Sequence, residues 1–295
     1  MATFTKVNRP LTWFITGASS GFGESLSRLV LAGGHKLIAT SRNASRNEDF
    51  VAEVNAHGNG SKWVTLDVND QGSGQLIDSL EASGDQIDVL VNNAGYSIYG
   101  PVETLTEDEV RTQMDTLYFS PVRLIRAVLP HMRKRKYGVI VNISSGAALE
   151  GRDSMGAYAG AKAALDGLSK VLAKEVAPFG VRTLTVTLGT FNTSFGDATV
   201  LGKNPLPDDY KGSVSEQMME AMSSGTLKPN GDKDKAMKAL YEVVVGEGVG
   251  KGYGAERLLP LGRDMTVRVK TVQDYLGHAL EVFGDVCNNV YREDK

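Results

Sequence analysis

The sequence predicts an α/β protein built on a doubly wound parallel sheet, and three observations point there. Apolar, β-type runs alternate with helical patterns from residue 11 to residue 187. The first strand-to-helix passage, Thr16-Gly17-Ala18-Ser19-Ser20-Gly21-Phe22-Gly23, carries three glycines where such folds turn sharply. The chain has 295 residues, 41% of them apolar and 23% charged, enough to bury about 75% of its unfolded surface in one large domain. Right-handed crossovers then set the C-terminal ends of the strands along one edge, where ligands bind.

Taken in order, Leu11-Thr12-Trp13-Phe14-Ile15 begins the first strand, 11–16, and Leu26, Leu29 and Val30 space a helix over 22–33. Between them Gly17 allows the turn, Gly21 a close approach of backbone to ligand, and Gly23 tight packing of helix on strand. Free N–H groups at such a helix start can hold a diphosphate; a plain glycine-rich turn is the competing reading. The second strand, 36–40, runs into Ser41-Arg42. Dinucleotide folds place an acid there for the ribose hydroxyls, whereas a guanidinium suits a 2′-phosphate. Arg42 therefore predicts NADP(H) over NAD(H), unless it is an ordinary surface arginine. A helix over 45–57 leads to the third strand, 63–66, with Asp67-Val68 following as an acid placed for an adenine amino group. A helix over 72–83 leads to the fourth strand, 87–91, and to Asn92-Asn93-Ala94-Gly95. The small residues there let a nucleoside near the backbone, while Asn92 and Asn93 equally suit stitching neighbouring loops.

One long helix is expected over 107–136. It starts at a capping box, Thr106 with Glu109. It ends in Arg133-Lys134-Arg135-Lys136, cations that suit a helix C-terminus better than a binding patch. The fifth strand, 138–143, leads to Ser144-Ser145, and a helix over 156–177 opens with Tyr158-Ala159-Gly160-Ala161-Lys162. Tyr158 and Lys162 stand four apart, on one helical face. An unperturbed phenol titrates at about 10. A nearby ammonium, with a cationic nicotinamide, favours the phenolate and would let Tyr158 act as general acid or base. A sixth strand is expected over 181–187.

Past Gly189 the texture changes. Residues 190–232 are expected to form a substrate loop or lid, with Met218, Met219 and Met222 either lining a pocket or packing on the domain. Residues 233–295 read as a C-terminal extension packed on the same single domain, 1–295, and helping to wall the site. It comprises a helix over 233–245, a further strand within 256–261 and a helix over about 266–284.

Jointly, the glycine turn, Asn93-Ala94-Gly95, Ser145 and the Tyr158–Lys162 pair resemble the short-chain dehydrogenase/reductase family over roughly residues 10–195. The resemblance implies a doubly wound (Rossmann) seven-stranded parallel sheet, bound NAD(P)(H) and reversible hydride transfer to a carbonyl. It implies that Gly17, Ser19, Ser20, Gly21, Phe22 and Gly23 form the cofactor loop, that Asp67 and Val68 meet the adenine, and that Asn93, Ala94 and Gly95 form the sheet-and-ribose motif. Ser145, thirteen residues before Tyr158, would hydrogen-bond the carbonyl oxygen. Tyr158 would pass the proton, Lys162 would hold the nicotinamide ribose and lower the tyrosine pKa, and Gly189 and Thr193 would hold the carboxamide. Two positions depart from the family pattern. Leu188 replaces a proline, with small effect expected. Leu117 stands at the family's catalytic asparagine, whose main-chain carbonyl holds a relay water. Pro121 lacks the N–H that would bond the Leu117 carbonyl in a helix, so either Leu117 holds that water through its main chain or Pro121 merely kinks the helix.

Composition excludes several other classes. Net charge is −3, which gives no bulk attraction to nucleic acid or anionic membrane. A single cysteine, Cys287, excludes an internal disulfide, and His35, His57, His131 and His278 lack metal-ligand spacing. No signal-peptide core and no apolar run of about 18 residues is seen, so a soluble, cytoplasmic protein is expected. The favoured function is an NADPH-dependent reductase of a ketone or aldehyde. Tyr96, Tyr99, Phe191, Phe195, Tyr210 and the methionines suggest a bulky, fairly apolar substrate of secondary metabolism, although core packing accounts for many of them equally well. Two alternatives stand beside it: non-redox chemistry on the same scaffold (isomerase, dehydratase or cyclase), and a non-enzymatic binding protein, against which Ser145, Tyr158 and Lys162 together speak. Homo-oligomerisation through the apolar faces of helices 107–136 and 156–177 stays open, since the tail is a candidate cover for them.

Overall fold

The computed structural model describes residues 7–193, 199–225 and 229–292. In chain order its strands are β1 (Thr12–Thr16), β2 (Lys36–Ser41), β3 (Lys62–Thr65), β4 (Val89–Asn92), β5 (Ser97–Tyr99), β6 (Gly138–Ser145), β7 (Val181–Leu188), β8 (Thr199–Leu201) and β9 (Leu258–Leu261). Seven of them form one parallel sheet in the order β3-β2-β1-β4-β6-β7-β9. Helices flank it: α1 (Gly21–Ala32), α2 (Glu48–Ala56), α3 (Ser73–Ala82), α4 (Glu107–Met114), α5 (Ser120–Arg135), α6 (Ala147–Glu150), α7 (Gly156–Val176), α8 (Val214–Ser223), α9 (Lys233–Val245) and α10 (Arg263–Asn288).

The sheet is buried on both faces, which is why its strands read as unbroken apolar runs rather than alternating ones. Trp13 and Ile15 of β1 point into a core shared with Leu26 and Val30 of α1 and Met237 and Leu240 of α9. Phe14, between them, points the other way, onto Ile77 of α3, Leu124 and Val128 of α5, and Leu172 of α7. β1 pairs with β2 on one side and β4 on the other (Trp13↔Leu37, Trp13↔Val89). Strand order reverses at that junction, so a crevice opens between the β1 and β4 ends.

The structure refines several elements. The expected helix over 107–136 is split: α4 and α5 are separated by a π turn, Asp115–Phe119. Pro121, in the first turn of α5, cannot donate a helical hydrogen bond, and the backbone widens just before it. The capping box at Thr106 and Glu109 is formed. The basic run closes α5, and Arg135 pairs with Glu81 at 2.6 Å, a structural use. The late strand is real: β9 extends the sheet beside β7 (Thr185↔Leu258). The three-residue strands β5 and β8 make a second small parallel sheet, too short to show a period in the sequence. In the extension, α9 packs on α1 and enters the core. α10 differs, because it meets the body at α6 by its first turns and Met265 is its one buried residue. It therefore leaves apolar side chains of the α5 and α7 region, such as Phe119 and Val171, exposed. No helix among the described residues is long and apolar enough to cross a membrane.

At the sheet edge opposite the crevice, Asp88 is fully buried just before β4. Its carboxylate accepts two guanidinium N–H groups of Arg9, at 2.7 Å each, and the Thr12 N–H at 2.9 Å. It thus fastens the start of β1 to the entry of β4. Asp88→Ala orphans that buried backbone N–H and should cost about 2–3 kcal/mol in urea unfolding, with Arg9→Ala costing less because Arg9 is exposed.

Candidate active site

The crevice starts at the β1 end. The Thr16 hydroxyl donates to the Val91 carbonyl at 3.2 Å and accepts the Asn93 and Ala94 N–H groups at 2.9 and 3.0 Å. The Asn93 amide donates to the Thr16 carbonyl at 2.8 Å and the Gly17 carbonyl at 3.2 Å. Gly17 takes φ +68°, and a Cβ there would stand 2.9 Å from the Ala94 Cα. Only glycine fits. Gly23 is packed still more tightly, since a Cβ there would lie 2.2 Å from the Gly17 carbonyl oxygen. Ser20 at the α1 N-cap makes no side-chain cap, so the first N–H groups of that helix face the crevice without a capping oxygen. That is the chemistry a diphosphate requires.

From here a cleft of about 910 Å³ runs across the sheet edge. Its lining includes Gly17, Ser19, Ser20, Gly21 and Phe22, then Arg42, Asp67 and Val68, and Asn93, Ala94 and Gly95. Ser145, Tyr158, Lys162, Gly189 and Thr193 line it further on. Gly23 stands behind the lining, in the helix–strand contact. Asn92 is a stitch, donating to Asn142 at 2.8 Å, and Asn93 spends its side chain on the glycine loop. Asp67 closes a local turn by accepting the Asn69 N–H at 2.9 Å. Among the described residues, neither Arg42 nor Arg46 is ion-paired, and both line the cleft where β2 ends.

At the other end, α7 carries Tyr158 and Lys162. Tyr158, Ala161, Lys162, Leu165 and Asp166 share its buried stripe, at three- and four-residue steps. Ser145 ends β6, and its hydroxyl bonds the Tyr158 phenol. The sequence predicts a phenol lowered by its lysine; the protein's own groups do the reverse. Burial pushes Tyr158 well above the ordinary phenol value, with the Ser145 hydrogen bond opposing. The reason is placement: Lys162 Nζ stands 6.0 Å from the ring centroid and donates to the Ile143 carbonyl at 2.6 Å. Burial in turn pushes Lys162 down to about 8, with the Asp166 carboxylate opposing.

The substrate end is walled by Tyr96, Tyr99, Met155, Phe191, Met218 and Met222. Met218, Met219 and Met222 of α8 also pack on Tyr99, Leu117 and Tyr158, so both readings of these methionines hold. Tyr210 lies outside the cleft and donates to Glu103, because its turn faces solvent; Phe195 is outside the described residues. Leu117 is buried beneath Gly95 and does not reach the cleft. Sequence reasoning missed Arg46, although a second cation four residues after Arg42 was legible. It also missed Asp264 and Arg268 of α10. Asp264 accepts from the Thr190 N–H and hydroxyl at 3.1 and 3.0 Å, and Arg268 bonds Glu150 at 2.7 Å beside the cleft. No local pattern marks contacts made across more than 70 residues. Among the described residues no cluster of three acidic, histidine or cysteine side chains is placed to hold a metal.

Comparison with known proteins agrees with this geometry. The sequence profile described as "short chain dehydrogenase" matches residues 12–203. A 3-ketodihydrosphingosine reductase of Bacteroides thetaiotaomicron is 39% identical over 190 residues, covering 64% of this chain and 67% of that protein. A crystal structure of a short-chain dehydrogenase from Streptomyces avermitilis superposes with a TM-score of 0.84 at 32% identity, covering 96% of this chain and all of the other. The closed form of a serine dehydrogenase, complexed with NADP+, gives a TM-score of 0.68 at 26% identity over 85% of this chain and 94% of its own. The chain is therefore an oxidoreductase of the doubly wound α/β class. It belongs to the short-chain dehydrogenase family.

The widened turn before Pro121 bears on Leu117, which packs under Gly95 at the cleft floor. Pro121→Ala restores a donor four residues after Leu117 and lets the helix regularise. Turnover should fall about tenfold with thermal stability unchanged or raised; an unaltered kcat would leave Pro121 a purely structural kink.

Proposed function

We propose that the protein is an NADPH-dependent carbonyl reductase acting on a bulky, fairly apolar ketone, of the kind found in secondary metabolism. One observation carries it: two guanidinium groups without an ion-pair partner among the described residues, Arg42 and Arg46, line the same cleft that holds Ser145, Tyr158 and Lys162. Two cations after β2 suit a ribose 2′-phosphate, and the uncapped α1 N-terminus suits the diphosphate. The NADP+ complex of the serine dehydrogenase neighbour supports the same cofactor. The aromatic and methionine wall favours an apolar substrate body, and the Bacteroides relative, a ketone reductase by name, supports a ketone.

Bound NADPH supplies a hydride for the carbonyl carbon. The chain's own groups serve the oxygen. Ser145 donates a hydrogen bond to it, and Tyr158 delivers the phenolic proton. Burial keeps that proton on Tyr158 at neutral pH, which is the form a reduction consumes. Lys162, as an ammonium lining the same cleft and steadied by the Ile143 carbonyl, would hold the nicotinamide ribose. Asp166, one turn further along α7, favours that ammonium against burial.

Arg42→Asp should raise KM for NADPH about 10–100-fold and lower KM for NADH, measured on one ketone; an unchanged cofactor ratio would remove the assignment of Arg42. Tyr158→Phe should lower kcat about 10²–10⁴-fold while NADPH affinity, read by nucleotide fluorescence, holds. In the native enzyme, Lys162 is charged below its lowered value and neutral above it. Hence kcat/KM for NADPH should fall as pH rises through about 8, the reverse of a group that must lose its proton to act.

A further inference from the structure

Beyond its first turns, α10 turns an apolar stripe to solvent. Counting from Met265, apolar residues recur at alternating steps of four and three: Val269, Val272, Leu276, Ala279 and Phe283, and then Val286. This is the a/d spacing that seats one helix on another. Met265 is buried at the root, but Leu276 is 56% exposed and Phe283 61%. Tyr275, Leu280 and Val282 widen the stripe, each more than half exposed. The opposite side carries Lys270, Asp274, His278, Glu281 and Asp285.

A second observation concerns the helix's own stability. Gly277 and Gly284 sit within it with open space around them, and each costs about 1 kcal/mol relative to alanine. Val272, Val282 and Val286 are weak helix formers. Against this stands an exposed Lys270–Asp274 ion pair at 2.6 Å, worth about 0.3–0.5 kcal/mol. Such a helix takes its stability from packing an apolar side, and this side lacks a packed neighbour among the described residues.

Charge selects the partner. An interfacial membrane helix carries Lys and Arg on its polar side, whereas three of the five polar residues here are acidic and repel anionic lipid. The area suits a protein interface: the exposed apolar side chains from Tyr275 to Tyr291 offer on the order of 800 Å², about one side of a stable complex. A second copy brings the same stripe, and a two-fold contact makes it self-complementary. We propose that α10 is a dimerisation helix, pairing with α10 of a second copy along the Val272–Val286 seam.

The test is the mass of the full chain by multi-angle light scattering and sedimentation. Leu276→Glu combined with Phe283→Glu should halve the native mass, while Glu281→Lys on the polar side should leave it unchanged. Should the double glutamate variant fail to fold, Leu276→Ala with Phe283→Ala should weaken self-association at least about tenfold. The proposal is overturned if the native chain is monomeric at about 100 μM, or if mass is the same in all variants. It is equally overturned if the native chain, but not the variants, pellets with phosphatidylcholine–phosphatidylserine vesicles while mass stays constant.

Discussion

The structure depends on the tie between the ends of β1 and β4. Thr16, Gly17, Asn93 and Ala94 hold one another through four hydrogen bonds of 2.8 to 3.2 Å, and Gly17 admits no side chain. That knot lies where strand order reverses, so it fixes the one place where the sheet edge opens. It also aims the start of α1 into the opening. The anion-accepting character of this end follows from backbone geometry: N–H groups that Ser20 does not cap, facing a crevice that the parallel topology creates.

The chemistry at the other end of the cleft rests on burial. Tyr158 and Lys162 share the inward stripe of α7, a helix held between β6, β7 and the π turn. Desolvation acts on the two groups in opposite directions, raising the phenol and lowering the ammonium. The proton is thereby held on the phenol, and the lysine is left closer to its titration point than a surface lysine. Ser145 reaches the same oxygen from the end of β6, because pairing with β7 runs unbroken to Leu188 (Ser145↔Leu188). The C-terminal extension contributes at this end as well. Asp264 and Arg268 brace Thr190 and Glu150, so the start of α10 is part of the wall of the cleft.

Much of this was legible in the sequence, because its causes are local. Strand and helix periods, the glycine turn, the Thr106–Glu109 capping box and the four-residue step from Tyr158 to Lys162 all act over a few residues. So does the missing N–H of Pro121, although its result, a π turn rather than a simple kink, depends on α4 and α7 packing around it. Which strands neighbour which was accessible only as a rule of topology, not as a register.

By itself, then, the sequence determined the α/β class, the position of the glycine turn, the cation after β2 and the tyrosine–lysine pair. Tertiary structure alone decided that the phenol is held up rather than down, since that follows from how deeply α7 is buried and from Lys162 bonding Ile143. It alone brought Arg268 to the cleft and Asp264 against Thr190 behind it, sent Tyr210 outside it, and left the far part of α10 exposed. Those outcomes depend on distances between residues far apart in the chain, and desolvation and long-range contact leave no period or spacing for a linear reading to find.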